Sequence, residues 1–221
     1  MQNIVVVGSS GYAKVIIDIL EKTKQYNIIG LIDSHKPKGR GVLDRMILGT
    51  EHDLPQLAKA LSINGCIVAI GDNHTRKAMI ARIDSLELNL QHISAIHPTA
   101  VIACDVNIGQ GTVIMANTHI GSSSQIGDFC ILNTHSSLDH DGTMGDFSSL
   151  APGVIAGGGV HIGSHSAVGL GANILHGVSI GENSVIGAGS LVNKNIGSFV
   201  VAYGQPCKYV RDRKSEDTYL S

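Results

Sequence analysis

An aliphatic side chain recurs at every sixth residue from Ile96 to Val192 without insertion or deletion: seventeen positions, sixteen of them large and apolar, with Ala156 the one small member. A period of six fits neither an α-helix nor an alternating strand over that length. It fits a solenoid in which each flat face takes one hexad and three hexads close a triangular coil. Residues eighteen apart then stack at the strand spacing of a β-sheet, about 4.8 Å. On this register Ala156 lies one coil beyond Leu138, which opens the hexad Leu138-Asp139-His140-Asp141-Gly142-Thr143. The irregularity and the most chemically loaded segment are expected to be stacked neighbours.

Small residues stand four places after the aliphatic one, as at Thr112, Ser124, Cys130, Ser148, Ser166 and Ser184, and glycine often follows it directly. The aliphatic is expected to point into the prism and the small residue to pack beside it near a corner, with glycine permitting the turn. Residues 1–94 have a different grammar, alternating short apolar runs with helical spacing: strands at 4–7, 28–32 and 67–70, helices at 13–20, 54–61 and 75–83. Strand alternating with helix predicts a small α/β, Rossmann-like domain whose parallel sheet carries ligand-binding loops at its carboxyl edge. Two domains follow, 1–94 and 95–221.

Of the 221 residues, 43% are apolar, ample for a core, and the formal charge of −2 offers no basic field for nucleic acid or an anionic membrane. No apolar run approaches the ~18 residues of a membrane span, and the start Met-Gln-Asn-Ile-Val-Val-Val-Gly lacks a basic leader, so a cytoplasmic protein without membrane insertion is expected. Cys66, Cys104, Cys130 and Cys207 show no paired spacing and are read as reduced thiols.

His140 is the strongest candidate for chemistry. The predicted register stacks it between Ser122 and Gly158, and Gly158 belongs to Gly157-Gly158-Gly159, a run without side chains that would bare backbone N–H groups. A reacting group there would find a base and oxyanion donors. Either Asp139 or Asp141 could orient the imidazole. His119, His135 and His161 are lesser candidates, and His165 and His176 read as solvated or stacked coil positions. In the first domain the turn Gly8-Ser9-Ser10-Gly11 before a helix is a phosphate-cradle candidate, though without the full dinucleotide spacing. Asp33, ending the second strand, stands where an acid meets a ribose hydroxyl. Some ninety residues suit a mononucleotide or nucleotide-sugar better than a dinucleotide.

The repeat, its central Asp-His-Asp, the leading Val-Gly-Ser-Ser-Gly-Tyr-Ala-Lys, the strand end Ala69-Ile70-Gly71-Asp72-Asn73 followed by Arg76, and the Gly204-Gln205-Pro206 exit together resemble the left-handed β-helix sugar acyltransferases. The chain looks most like the N-acetyltransferases of nucleotide-linked 4-amino sugars, the bacillosamine and perosamine branch, with sialic acid O-acetyltransferases as relatives. That resemblance implies a left-handed parallel β-helix, acetyl-CoA as co-substrate, no metal, a direct ternary mechanism, a role in surface glycan synthesis, and a homotrimer with acetyl-CoA between neighbouring helices. By position it implies His140 as general base, Asp141 as the acid raising its basicity, and the Gly158 N–H as donor to the thioester carbonyl. It places Ser10, Gly11, Tyr12, Asp33, Ser34 and Gly71 at the nucleotide-sugar, and Ser149, Leu170 and Ala188 at acetyl-CoA. Tyr12 stands where the family often has histidine, Ser149 where some relatives have histidine, and Cys207 where the exit motif has alanine.

Three other readings stay open at this point. A sugar O-acetyltransferase would use the same base on a hydroxyl. A metal hydratase is suggested by His135 and His140, five apart, which resemble part of the zinc site of gamma-class carbonic anhydrases; it would need a third histidine, and Asn117, eighteen before His135, is not one. A non-catalytic nucleotide-sugar binding protein would show tight nucleotide binding and no turnover.

Overall fold

The computed structural model describes residues 1–218. The chain forms two compact units, Met1–Ala95 and Ile96–Ser221. In the first, β1 (Gln2–Val7), α1 (Gly11–Thr23), β2 (Tyr26–Ile32), β3 (Gly41–Val42), β4 (Arg45–Gly49), α2 (Leu54–Leu61), β5 (Gly65–Val68), α3 (Asn73–Asp84) and β6 (Gln91–His92) succeed one another. The sheet order is β3-β4-β2-β1-β5-β6. All neighbours are parallel except the β3–β4 hairpin. Ile4 to Val7 form an unbroken apolar run, at most 2% exposed, as a strand between two parallel partners requires. Helix α1 buries Ala13, Ile16, Ile17 and Leu20, the three-and-four spacing of a single helical face.

Two details depart from the sequence expectation. The third long strand is β5 at Gly65–Val68 rather than 67–70, because its last pair, Val7 with Val68, falls where β1 itself ends. The β3–β4 hairpin and β6 were not foreseen. Both are short, and the hairpin turns through Leu43 at φ 51°, a left-handed conformation that leucine does not advertise in sequence.

The second unit is a left-handed parallel β-helix. Seventeen two-residue strands run from Ala95–Ile96 to Leu191–Val192 and form three parallel faces. Every ladder advances by eighteen residues: on one face His119 pairs with Ser137, Leu138 with Ala156, and Ala156 with Ile174. Ala156 does therefore sit directly on Leu138. The hexad aliphatics from Ile114 to Val192 are all buried, each large one contributing about 1.5–3 kcal/mol of transfer free energy. Strands Val200–Gly204 and Cys207–Asp212 then pair antiparallel and extend the first face. Among the described residues no helix is long and apolar enough to cross a membrane.

The small hexad residues do more than fill corners. Buried Ser124 donates from Oγ to the Asp139 carbonyl at 3.0 Å and accepts from the Gly142 N–H at 3.2 Å. Ser166 repeats the pattern with the Gly181 carbonyl and the Ser184 N–H. Each hydroxyl thus ties one coil to the turn of the next and satisfies polar groups that the prism would otherwise bury unpaired. Ser124 performs this service for the turn that carries His140.

Glycines of the second unit differ in what their missing side chain prevents. A Cβ on Gly163 would fall 2.4 Å from the Glu182 backbone nitrogen, whereas one on Gly197 would meet nothing within 4 Å. Gly163→Ala is expected to cost about 1–3 kcal/mol as the coils are forced apart, and Gly197→Ala to stay within about 0.5 kcal/mol of the parent. Thermal denaturation of both variants checks this; equal midpoints would refute the close-stacking account.

Candidate active site

His140 stands at a corner of the prism, in the turn that follows Ser137–Leu138. The turn is pinned on both sides: the Asp141 N–H donates to the Ser122 carbonyl below at 2.9 Å, and the Gly159 N–H donates to the His140 carbonyl from above at 2.8 Å. Asp141 adopts φ 57°, a left-handed turn geometry that aspartate tolerates better than most residues. There its carboxylate faces back to the ring, with His140 Nδ1 and Asp141 Oδ2 2.7 Å apart. Asp139 is used differently, its Oδ1 accepting the His140 backbone N–H at 2.8 Å. The two acids, which their positions beside His140 alone do not distinguish and of which the resemblance picks Asp141, therefore divide the work. Asp141 orients the imidazole and Asp139 caps the turn.

With Nδ1–H donating to Asp141, the Nε2 lone pair is left to accept a proton. The hydrogen bond to Asp141 comes first, then the charge of Asp139, and together they hold the His140 pKa above the usual 6.5. Nε2 lies against Gly158: a Cβ there would fall 2.5 Å from Nε2 and 2.6 Å from Cε1. The absent side chain at 158 is thus the seat of the imidazole itself.

One expectation from the sequence requires correction. The glycine run does not bare its N–H groups. Gly157 donates to the Ile174 carbonyl at 3.0 Å, Gly159 to His140, and Gly158 to His176 Nδ1 at 2.9 Å. The reason lies in the solenoid ladder, which consumes alternate donors, and in a histidine one coil further on that consumes the third. His176 is therefore not a merely solvated coil position, and the only sequence signal for it was its spacing of eighteen from Gly158. Among the lesser candidates, His161 Nδ1 lies 2.7 Å from Thr143 Oγ1, His135 Nε2 lies 3.5 Å from Asn117 Nδ2, and His165 stacks on Phe147 with centroids 5.2 Å apart. No group of three or more His, Cys, Asp or Glu among the described residues is placed to hold a metal ion.

A cavity of about 400 Å³ opens on the same face, lined by His119, Ser137, Asp139, Ile155, Gly157 and His176 among others. Leu170 and Ala188 are exposed and stack one coil apart at the other edge of this face, the Gly189 N–H donating to the Leu170 carbonyl at 2.7 Å. Ser149 is 6% exposed, on the preceding face. A single chain does not bring these three residues together with His140.

The amino-terminal unit holds a second cavity of about 340 Å³ at the carboxyl edge of its sheet. Ser10, Asp33, Ser34 and Gly71 line it, as does the turn residue Gly8, at φ 106°, where a Cβ would strike the Ala69 carbonyl oxygen at 2.8 Å. Gly11 and Tyr12 are not in its wall; they begin α1. His35, Lys36, Thr75 and Met79 line it and were not singled out from the sequence. Asp33 is heavily engaged. Its Oδ1 accepts the N–H groups of His35 and Lys36 at 2.8 and 3.0 Å, and its Oδ2 accepts from Ser9 Oγ. Burial alone would raise its pKa, but the Ser9 hydrogen bond, the two amides and the Lys36 charge outweigh it and lower it. Lys36 Nζ reaches the Ser9 carbonyl at 2.5 Å, which sets a cation beside the turn before α1. Beneath, buried Glu51 accepts from Ser34 Oγ and pairs with Arg82. Desolvation opposes its charge, yet these bonds, with one to its own backbone, bring its pKa down to about 2.

Residues 3–83 match the model of the PglD N-terminal domain. The UDP-N-acetylbacillosamine N-acetyltransferase of Bacillus subtilis is 30% identical over 116 residues, a match spanning about half of each protein, 52% of this chain and 52% of that one. A histidine-to-alanine variant of GDP-perosamine N-acetyltransferase from Caulobacter crescentus, solved with CoA and GDP-perosamine, superposes with a TM-score of 0.90 at 32% identity over 96% of this chain and 98% of that one. The acetyltransferase domain of PglB from Neisseria gonorrhoeae, solved with acetyl coenzyme A, gives a TM-score of 0.86 at 26% identity over 95% and 99%. With that fold and identity holding from end to end, the chain belongs to the hexapeptide-repeat N-acetyltransferases of nucleotide-linked amino sugars.

Proposed function

We propose that this protein transfers the acetyl group of acetyl-CoA to the amino group of a nucleotide-linked 4-amino-4,6-dideoxy sugar in a ternary complex, with His140 as general base. The observation that carries the reading is the Asp141–His140 pair at 2.7 Å, its free Nε2 lodged against Gly158 on an open corner of the β-helix. An amine attacking a thioester must shed a proton as the new C–N bond forms. A neutral imidazole, held in one tautomer by a carboxylate, is suited to take it. The amino-terminal cavity, with the helix start at Ser10, the Lys36 ammonium and an apolar floor of Ile32, Ile70 and Met79, suits the diphosphate and base of the nucleotide. The relatives solved with CoA and GDP-perosamine support the same pair of substrates.

A homotrimer belongs to this proposal. Leu170 and Ala188 lie across a whole face from His140, so the expected CoA contacts require an edge supplied by a neighbouring chain. Acetyl-CoA would then lie between two β-helices, one giving the base and the other the wall.

The deciding experiment is a thiol-release assay with acetyl-CoA against UDP-, GDP- and dTDP-linked 4-amino sugars. Release with one of them supports the reading; release only with a sialic acid hydroxyl, or none despite tight nucleotide binding, overturns it. His140→Ala is expected to lower turnover about 10²–10⁴-fold, and unchanged turnover would remove His140 from the role of base.

The pH profile gives a second check. His140 works as a base only when neutral, so its raised pKa places the acid limb of kcat/KM above pH 6.5. Asp141→Asn removes the largest cause of that shift, and the limb is expected to move toward lower pH while maximal turnover falls with the weaker base. A limb that stays in place would separate Asp141 from the titration. In the other unit, Asp33→Ala is expected to raise the KM for the nucleotide-sugar and leave that for acetyl-CoA nearly unchanged. Equal damage to both would contradict the division of labour.

A further inference from the structure

We propose that the Ser34 hydroxyl accepts a hydrogen bond from the nucleoside part of the bound nucleotide-sugar, and that buried Glu51 is the positioning residue that makes it an acceptor. This rests on the nucleotide reading of the amino-terminal cavity given above. Ser34 is exposed in the wall of that cavity, two residues after β2 ends at Ile32. Glu51, 2% exposed, opens the short helical turn Glu51–Asp53 that leads into α2. One of its carboxylate oxygens, Oε2, accepts from Ser34 Oγ, and the other, Oε1, accepts from Arg82 Nη1 in the last turn of α3.

The charge on Glu51 fixes the direction of the Ser34 bond. Desolvation opposes that charge, yet the bonds from Ser34, from its own backbone and from Arg82 prevail and bring the pKa down to about 2. An ionised carboxylate has no proton to give, so the single hydroxyl proton of Ser34 must point at Glu51. What Ser34 turns toward the cavity is then oxygen lone pairs alone. Among the described residues the Ser34 hydroxyl bonds to Glu51 and to no other side chain, which leaves those lone pairs for a ligand.

A hydroxyl committed in this way discriminates among the parts of a nucleotide-sugar. The ionised diphosphate carries only acceptors, and set against Ser34 Oγ it would meet lone pairs with lone pairs. Donors for it stand elsewhere in the wall, at the start of α1 beside Ser10 and at the Lys36 ammonium. Ribose hydroxyls and the N–H of a base do carry protons, and either meets Ser34 with matched polarity. The nucleotide is thereby oriented, its diphosphate toward Ser10 and its nucleoside toward Ser34. Glu51 touches no ligand in this arrangement and acts only through the Ser34 proton.

The test is calorimetric binding to the full chain of whichever of UDP, GDP and dTDP binds the parent tightest. It is repeated with analogues of that nucleotide that each lack one donor: a ribose hydroxyl, or the base N–H blocked by methylation. One analogue is expected to bind the parent about tenfold more weakly than the intact nucleotide, because it leaves Ser34 unpaired; the donor it lacks is the one that meets Ser34. In Glu51→Gln the amide oxygen stays with Arg82 and the amide N–H faces Ser34, turning the hydroxyl proton into the cavity. Glu51→Gln and Ser34→Ala are each expected to bind the intact nucleotide about tenfold more weakly and to bind that analogue within about twofold of it, with the Kd for CoA unchanged. The double variant is expected to match Ser34→Ala within about twofold, since both changes remove one interaction. Equal binding of every analogue by the parent, discrimination by Glu51→Gln equal to the parent's, or additive losses in the double variant overturns the assignment and leaves the nucleotide reading of the cavity standing. Failure of the parent to bind any of the three nucleotides overturns that reading, and the role of Ser34 and Glu51 with it.

Discussion

Everything at the β-helix site depends on a register of eighteen residues that is held without slippage. Each coil contributes only two-residue strands, so no single ladder could fix a histidine in place. Repetition does it: Leu138 sits on Ile120 and under Ala156, and Ala156 under Ile174, all within one inward column of buried side chains. A slip of one residue on any coil would turn aliphatics outward and bury polar groups unpaired. The turn residues 140, 158 and 176 are consequently as well located as the core that carries them.

That register explains why the architecture was legible in sequence to the level of single contacts. The period of six gave the faces, three periods gave the coil, and the coil placed Gly158 over His140. The amino-terminal unit was legible more coarsely. Its buried strands and helix α1 announce themselves as apolar runs and a helical face, but β3, β4 and β6 are only two to five residues long, and β3 and β4 are joined through a leucine turn no composition rule suggests. The cavity walls show the same limit: Lys36 enters because Asp33 folds the chain back on itself through two amides, a local hydrogen-bond pattern and not a motif.

Where sequence reasoning failed at the site, it failed over hydrogen-bond accounting. Three consecutive glycines look like three free donors when only side chains are considered. In the solenoid the Gly157 and Gly159 N–H groups are already committed to carbonyls of adjacent coils, and the remaining one meets a histidine. Backbone donors in a repetitive fold are scarce, because the same ladder that gives the fold its rigidity takes them up.

In the proposed reaction, the exposure of the dyad bears on how His140 would be tuned as the base. The side chain of His140 is 60% exposed, so burial does little to oppose its charged form. A buried imidazole would be pushed toward neutrality and made a poor proton acceptor. Here the opposite holds, since the hydrogen bond to Asp141 and the nearby Asp139 favour the charged form of His140. Raising the pKa of a base strengthens its pull on the amine proton but shrinks the fraction that is neutral at a given pH. A raised pKa therefore serves the first need at the expense of the second, and the hydrogen bond to Asp141 is its largest cause. Gly158 completes the arrangement by geometry alone: with no Cβ in the way, the imidazole can lie flush against the backbone, and its position is set by an atom that is not there.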